Sequence, residues 1–283
     1  RDFLLSEGQL EWVVRTVQVL ENRRSLDEEV MDDLLSRFSD ARALIRILQS
    51  IGKAVETIPP ELITLLDMIP SDHVMQLTDL LAEERSPAAR RITRMLIERY
   101  IVNMPDPAPF FARMSGESPG VLCDMLRASS HVLPTETEVA AVPFATHPAA
   151  EVQLEVLWAV ERFSDDGVIE STLLSMLNSN FEEVRIRVVE HLDLYATEGS
   201  FDELVTHIKR NSTRNMSQRE CDICGQTLAR LDPDKARPVL TEWVRPVGWF
   251  RRMVEMPGAQ ALQWVGVNGL ALLPGDDIDK IIR

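Results

Sequence analysis

The sequence predicts an all-α protein in which antiparallel helix pairs stack into a right-handed solenoid. Three observations support this prediction. Apolar residues recur at helical spacing through nearly all of the 283 residues. One apolar template occurs twice in succession, and looser copies lie elsewhere in the C-terminal two thirds of the chain. No stretch alternates polar and apolar residues for long enough to predict paired strands.

The repeat is clearest between residues 147–163 and 179–195, because sliding one segment onto the other superimposes six apolar pairs. These pairs are Val152 with Val184, Leu154 with Ile186, Val156 with Val188, Leu157 with Val189, Val160 with Leu192 and Phe163 with Tyr195. The central apolar pair returns elsewhere at unequal steps, although Cys224 and Gly266 replace branched residues in two copies. Since one helical hairpin cannot bury its apolar face alone, we expect stacked hairpins that share a continuous core.

Three stretches resemble a known family. They read SPAARRITRMLIERY, HPAAEVQLEVLWAVERF and NFEEVRIRVVEHLDLY, each opening after a polar or proline-containing turn. They resemble the second helix of HEAT repeats, and the chain is similar to bacterial multi-repeat HEAT proteins. The resemblance covers residues 86–283 well and 26–85 loosely. It implies a helical-repeat fold and hardly constrains function.

The predicted organisation has two continuous regions. Residues 1–85 are interpreted as an N-terminal helical region of degenerate repeats or a cap, and residues 86–283 as the repeat solenoid. Pro87 and Pro119 stand where the first turn of a helix tolerates proline. The chain begins with Arg1 rather than Met, which indicates an excised fragment or a processed product. An alternative interpretation is therefore a regulatory or sensor segment of a larger signalling protein or enzyme.

Charge and composition exclude several classes of partner. The chain has 30 basic and 45 acidic residues, a net charge of -15, and no region is a basic domain. Such a surface repels nucleic acid and anionic lipid. No apolar run approaches the roughly 18 residues that a membrane span needs. Three cysteines are too few and too unevenly spaced for a disulfide scaffold, so we expect a cytoplasmic protein.

No motif predicts catalysis, a metal or a cofactor. Cys221 and Cys224 have the spacing of half a zinc knuckle, but a structural zinc site needs two more ligands. The alignment places Cys224 on the core position of Val156, so the alternative is a buried core pair. His191 falls on the core-facing side of its helix, where a hydrogen-bonded core histidine is expected. The prediction is a non-enzymatic protein without cofactors.

Two aromatic features predict a partner-binding surface. Trp158 falls on the nominally polar side of its helix beside Arg162, where it either binds a partner or packs on the neighbouring repeat. Trp264 aligns with Leu154 and has the same two interpretations.

The second feature is the segment 242–258, which occupies the longest step between repeat copies. It contains the aromatic and basic residues Trp243, Arg245, Trp249, Phe250, Arg251 and Arg252. Insertions in repeat proteins map to one face, which is often the binding face. The alternative is an aromatic plug that closes a gap in an irregular repeat. Together these features predict a protein-binding scaffold or adaptor that contacts its partner through this segment and through Trp158 and Arg162.

Overall fold

The computed structural model describes residue 15 and the ranges 74–83, 87–195, 198–213, 216–244 and 258–274. Within these ranges the chain forms twelve α-helices and one 3₁₀ helix, and no residue there lies in a strand. The predicted all-α class is therefore confirmed for this part of the chain. The predicted boundary after residue 85 lies outside the described residues and stays a prediction.

The chain divides into two compact units, residues 1–137 and 138–283. The first contains α1 (Val74–Glu83), α2 (Pro87–Ile101), α3 (Ala108–Met114) and α4 (Pro119–Val132). Helix α5 (Pro134–Ala141) contributes residues to both units. In the first unit α1 packs on α2 and α4, and α2 packs on α4. Pro87 and Pro119 are the first residues of α2 and α4, as predicted, because a first-turn residue needs no intrahelical N–H donor.

The second unit continues with the 3₁₀ helix Val142–Thr146 and seven α-helices. These are α6 (Ala150–Val160), α7 (Asp166–Met176), α8 (Glu182–Tyr195), α9 (Glu198–Ser212), α10 (Gln218–Leu231), α11 (Pro233–Val244) and α12 (Ala259–Leu270). Helices α6, α8, α10 and α12, here called the second helices, each pack on the next member of this set. The intervening helices α7 and α9 also pack on each other.

The repeated apolar template forms the core of this unit. Of its twelve positions, which lie in α6, just after α6 and in α8, ten are buried, while Leu154 and Tyr195 are half-buried. Burial of each such side chain contributes about 1.5–3 kcal/mol relative to leaving it in water. The alignment of the two template copies, in which Val152 matches Val184, therefore also identifies buried residues that stabilise the unit.

Helices α10 and α12 approach each other backbone to backbone. A β-carbon on Gly225 would lie 2.3 Å from the carbonyl oxygen of Val265 and 2.9 Å from the amide nitrogen of Gly269. Only residues without a side chain allow this separation. Gly225 therefore departs from the branched residues of the repeat pattern because the α10–α12 contact requires a glycine at this position.

Candidate functional site

The predicted site residues are only partly within the described chain. Arg245, Trp249, Phe250, Arg251 and Arg252 lie outside the described residues, and their role stays a prediction. Trp243 is the penultimate residue of α11 and is 9% exposed. Packing within the unit accounts for its ring, so its assignment as a partner contact also stays a prediction.

Trp158 and Arg162 are brought together at the end of α6. The Arg162 guanidinium carbon lies 3.5 Å from the centroid of the half-buried Trp158 ring, which is cation–π geometry. Nη1 of Arg162 also donates a hydrogen bond of 2.8 Å to the Trp158 carbonyl oxygen, one of the last carbonyls of the helix. The two predicted residues therefore form one partly exposed group.

Trp264, on α12, is the most exposed tryptophan of the described chain, with 43% of its surface accessible. Its Nε1 donates a 2.7 Å hydrogen bond to Oδ1 of Asp222 on α10. Nδ2 of Asn268 donates to the same oxygen at 2.6 Å and to the Trp264 carbonyl oxygen at 3.0 Å. An exposed indole ring is thus held in one orientation by a carboxylate of the neighbouring second helix.

Similar polar contacts connect other helices through residues that lie 30 to 37 positions apart in the sequence. Asp124 on α4 accepts a hydrogen bond of 3.2 Å from Arg94 on α2, and Asp193 on α8 accepts one of 2.6 Å from Arg230 on α10. Nε2 of His191 on α8 lies 3.1 Å from Oε1 of Glu161, just after α6. Sequence reasoning missed these contacts, although opposite charges at about the repeat spacing were a visible signal.

His191 is a hydrogen-bonded residue, as the sequence predicted. Its Nδ1 lies 2.7 Å from the Arg187 carbonyl oxygen, so both ring nitrogens have partners. Its side chain is 13% exposed, which places it at the edge of the core.

A buried charged cluster joins α8, α9 and α10. Oε1 and Oε2 of Glu220 accept hydrogen bonds of 2.6 and 2.9 Å from Nε and Nη2 of Arg185, which is bidentate geometry. The Glu220 side chain is 0% exposed, and Nε2 of the buried His207 lies 3.9 Å from Oε1. Asn211 lies on the other side of the imidazole, with its Nδ2 3.0 Å from Nδ1 of His207.

A serine cap at the start of α10 positions the Glu220 carboxylate. The Ser217 hydroxyl accepts a 3.1 Å hydrogen bond from the backbone N–H of Glu220, so α10 begins at Gln218 with Glu220 in its first turn. Burial raises the pKa of Glu220, but the two hydrogen bonds from Arg185 and the positive charge of its guanidinium outweigh this effect. The net result is a pKa below the ordinary value of a glutamate, so Glu220 is ionised at neutral pH.

The cysteine pair lies in the core. Cys224 is fully buried, at the position that the alignment equated with Val156, and Cys221 is 2% exposed. Burial raises the pKa of the Cys221 thiol to about 11, and that of Cys224 well above its ordinary value. Within the described ranges, no three His, Cys, Asp or Glu side chains are grouped closely enough to hold a metal ion.

A pocket of about 350 Å³ lies where the end of α9 meets the starts of α10 and α12. Its described lining residues are Ser212, Met216, Gln218, Cys221, Gly258, Gln260, Ala261 and Trp264. Gly258 has a φ of 89°, and a β-carbon there would lie 2.7 Å from the Ser212 carbonyl oxygen. A glycine therefore allows α12 to begin directly against the end of α9, which closes one side of the pocket. The sequence indicated Trp264 but not the pocket.

Comparison with known proteins identifies no relative. No protein-family model, no curated protein and no solved structure matches the chain. Within the described residues, no helix is both long enough and apolar enough to cross a membrane.

Proposed function

We propose that this chain is a non-enzymatic, protein-binding scaffold or adaptor of HEAT-like repeats. The observation that supports it best is Trp264, whose ring is exposed yet held by Asp222 on the neighbouring helix. Tryptophan is enriched among the residues that dominate binding energy at protein interfaces. A ring that is already fixed loses little conformational freedom on binding, so more of its contact energy contributes to affinity.

The packing pattern supports the repeat arrangement. Each second helix from α6 to α12 packs on the next, and α7 packs on α9. Contacts between alternate helices along the chain are expected when helix pairs stack on one another. The polar contacts at one-repeat separation further support it, because they recur between helices of equivalent place in successive repeats.

In such a scaffold, binding sites are rows of side chains on successive repeats. The Trp158–Arg162 pair lies at the end of α6, and Trp264 lies on α12. Cation–π pairs of this kind contribute about 0.5–1 kcal/mol at exposed sites and fix the aromatic ring. We place the scaffold in the cytoplasm, since none of the three cysteines, all of which the structure describes, forms a disulfide.

Affinity capture from native lysate with four baits tests this proposal. The baits are the wild-type chain, Trp158→Ala, Trp264→Ala and the control Leu194→Ala, which removes a side chain that is 74% exposed on the second helix α8. Bound proteins are identified by mass spectrometry, and each bait is checked by circular dichroism and thermal melting. We expect a protein retained by wild type and Leu194→Ala and reduced at least five-fold with either tryptophan variant, since each loss removes about 1 kcal/mol or more.

Two results would count against the proposal. If the four baits retain the same proteins equally, the tryptophans are not contacts. If a tryptophan variant melts at a lower temperature but binds normally, its ring serves packing between repeats, the alternative that the sequence left open.

A further inference from the structure

His191 on α8 lies between two oxygen atoms that only accept hydrogen bonds. Its Nδ1 is 2.7 Å from the carbonyl oxygen of Arg187, one turn earlier on the same helix. Its Nε2 is 3.1 Å from Oε1 of Glu161, which follows α6. A carbonyl oxygen and an ionised carboxylate have no proton to donate, so each contact requires an N–H group from the ring. Only the doubly protonated imidazolium has an N–H group on both nitrogens.

Loss of one proton from His191 therefore breaks one of these two contacts. The Arg187 carbonyl is fixed in the helix backbone, and its contact with the ring is the shorter of the two. The Glu161 side chain is 47% exposed and can turn towards water, which hydrates its charge. We therefore expect the neutral ring to keep its proton on Nδ1 and to release Glu161. Histidine side chains exchange this proton between about pH 5 and 8.

Glu161 also connects His191 with the Trp158–Arg162 pair. Its second carboxylate oxygen, Oε2, lies 3.9 Å from Nη1 of Arg162. The Arg162 guanidinium stacks on the Trp158 ring and donates to the Trp158 carbonyl oxygen. While the carboxylate is bound to His191, its charge is shared between two cations. Once His191 releases it, the carboxylate competes with the Trp158 ring for the guanidinium, because charged hydrogen bonds are stronger than cation–π contacts at exposed sites.

Other charged residues also lie on the helices α6, α7 and α10, which pack against α8. Those of α10 contact residues other than His191, namely Arg219 with Glu190, Glu220 with Arg185, Asp222 with Trp264 and Arg230 with Asp193. Those of α6 and α7 are all acidic, namely Glu151, Glu155, Asp166 and Glu170. The Glu170 carboxylate accepts a hydrogen bond from Ser200. The contact between His191 and Glu161 is therefore the one through which a proton on the ring reaches the Trp158–Arg162 pair.

We propose that the proton on His191 regulates partner binding by the Trp158–Arg162 pair. In the acid form, His191 holds Glu161, and the Arg162 guanidinium stays on the Trp158 ring. In the neutral form, Glu161 turns to Arg162 and draws the guanidinium from the ring. The proposal rests on the scaffold function proposed above and specifies how that site responds to pH. A ring that is held in place loses less conformational freedom on binding, so a partner that contacts Trp158 binds more tightly in the acid form.

Nuclear magnetic resonance of the ¹⁵N-labelled chain follows His191 and Trp158 in one titration from about pH 5 to 8. We expect both ring nitrogens of His191 to be protonated at the acid end, and one proton to leave as the pH rises. The indole N–H signal of Trp158 is expected to move with the same midpoint. His191→Gln and Glu161→Gln each remove one end of the contact and are expected to reduce this movement about three-fold or more.

The matched control is Glu151→Gln, the same substitution at an exposed glutamate in the first turn of α6. It is expected to leave the pH response of the Trp158 signal unchanged. Circular dichroism checks that all three variants are as helical as wild type.

Affinity capture at two pH values tests the consequence for binding. A protein whose retention depends on Trp158 is expected to be retained about three-fold more at about pH 6 than at about pH 8. With Glu161→Gln as bait, retention is expected to be equal at the two pH values. The partner is the same for both baits, so this comparison separates the pH response of the chain from that of its partner.

Two results of the titration would overturn the inference. One is a His191 ring that has a single protonated nitrogen throughout the titration. The other is a Trp158 signal with the same pH response in wild type and in Glu161→Gln. In the capture experiment, a Trp158-dependent partner retained equally at both pH values would reject the regulation and retain the scaffold. A Trp158 signal that follows His191, without any captured protein, would support the proton-controlled contact and count against the scaffold.

Discussion

Helix α10 packs on two second helices, α8 and α12, and the interactions that hold these two contacts differ. Towards α8 it buries a bidentate ion pair between Glu220 and Arg185. Towards α12 its backbone makes a close approach at Gly225, which lies against Val265 and Gly269. Both contacts join consecutive second helices, yet the first includes a buried ion pair and the second a close backbone approach at glycine.

The difference indicates how each contact would fail. A buried ion pair is costly when one partner is removed, because the remaining charge loses its compensation. Adding a side chain where two backbones meet at a glycine destabilises the fold, because the helix axes must move apart. The two sides of α10 are therefore sensitive to opposite kinds of substitution.

The largest expected effect is on the α8 side. Arg185→Met leaves the fully buried Glu220 carboxylate without its bidentate partner and is expected to lower the free energy of unfolding by about 3–5 kcal/mol. Urea denaturation followed by circular dichroism measures this change.

The matched control is Arg187→Met, the same substitution two residues further along α8. The Arg187 side chain is 55% exposed, and its Nη1 lies 3.3 Å from Oε2 of Glu190. An exposed pair contributes little, so a change within about 0.5 kcal/mol is expected. Equal losses in the two variants would contradict the importance of the buried pair.

The next effect is on the α12 side. Gly225→Ala places a methyl carbon 2.3 Å from the Val265 carbonyl oxygen and is expected to cost about 1–3 kcal/mol, measured in the same urea titration. Gly199→Ala is the control, because no atom lies within 4 Å of a β-carbon there. This substitution within α9 is expected to stabilise by about 0.5–1 kcal/mol. A neutral or stabilising Gly225→Ala would refute the close approach of the two helices.

The smallest expected effect is the acid response of the ion pair. Since the folded-state pKa of Glu220 lies below its ordinary value of 4.5, the ionised carboxylate stabilises the fold above that pH. This contribution is lost as the pH falls through the folded-state pKa. The difference in unfolding free energy between wild type and Glu220→Gln should therefore be constant at neutral pH and shrink below about pH 4.5. A difference that stays constant down to about pH 3 would show that Glu220 has no lowered pKa.

The apolar core could be predicted because the sequence itself shows the helical spacing and the repetition of its apolar residues. Val156 and Val188 are both fully buried, as their equivalent places in the two copies of the template predicted. Helical periodicity reports which residues face inward on a single helix, and a repeat places the same residues on successive helices.

The polar contacts could not be predicted in the same way. A charged residue on a helix, such as Glu220, has the same pattern whether it faces water or another helix. Gly225 was visible as a departure from the repeat, but its partner Val265 belongs to a helix that follows only after α11 and the segment 245–257. The pocket depends on where three helix ends meet, which helical spacing alone does not specify.

The buried thiols of α10 have a consequence for chemical reactivity. With a pKa of about 11, roughly one Cys221 in ten thousand is a thiolate at pH 7, and Cys224 is more strongly suppressed. An alkylating reagent or oxidant therefore meets reactive sulfur only when α10 separates from its neighbours. The rate at which these two thiols react therefore measures how often this part of the protein opens locally, without an introduced label.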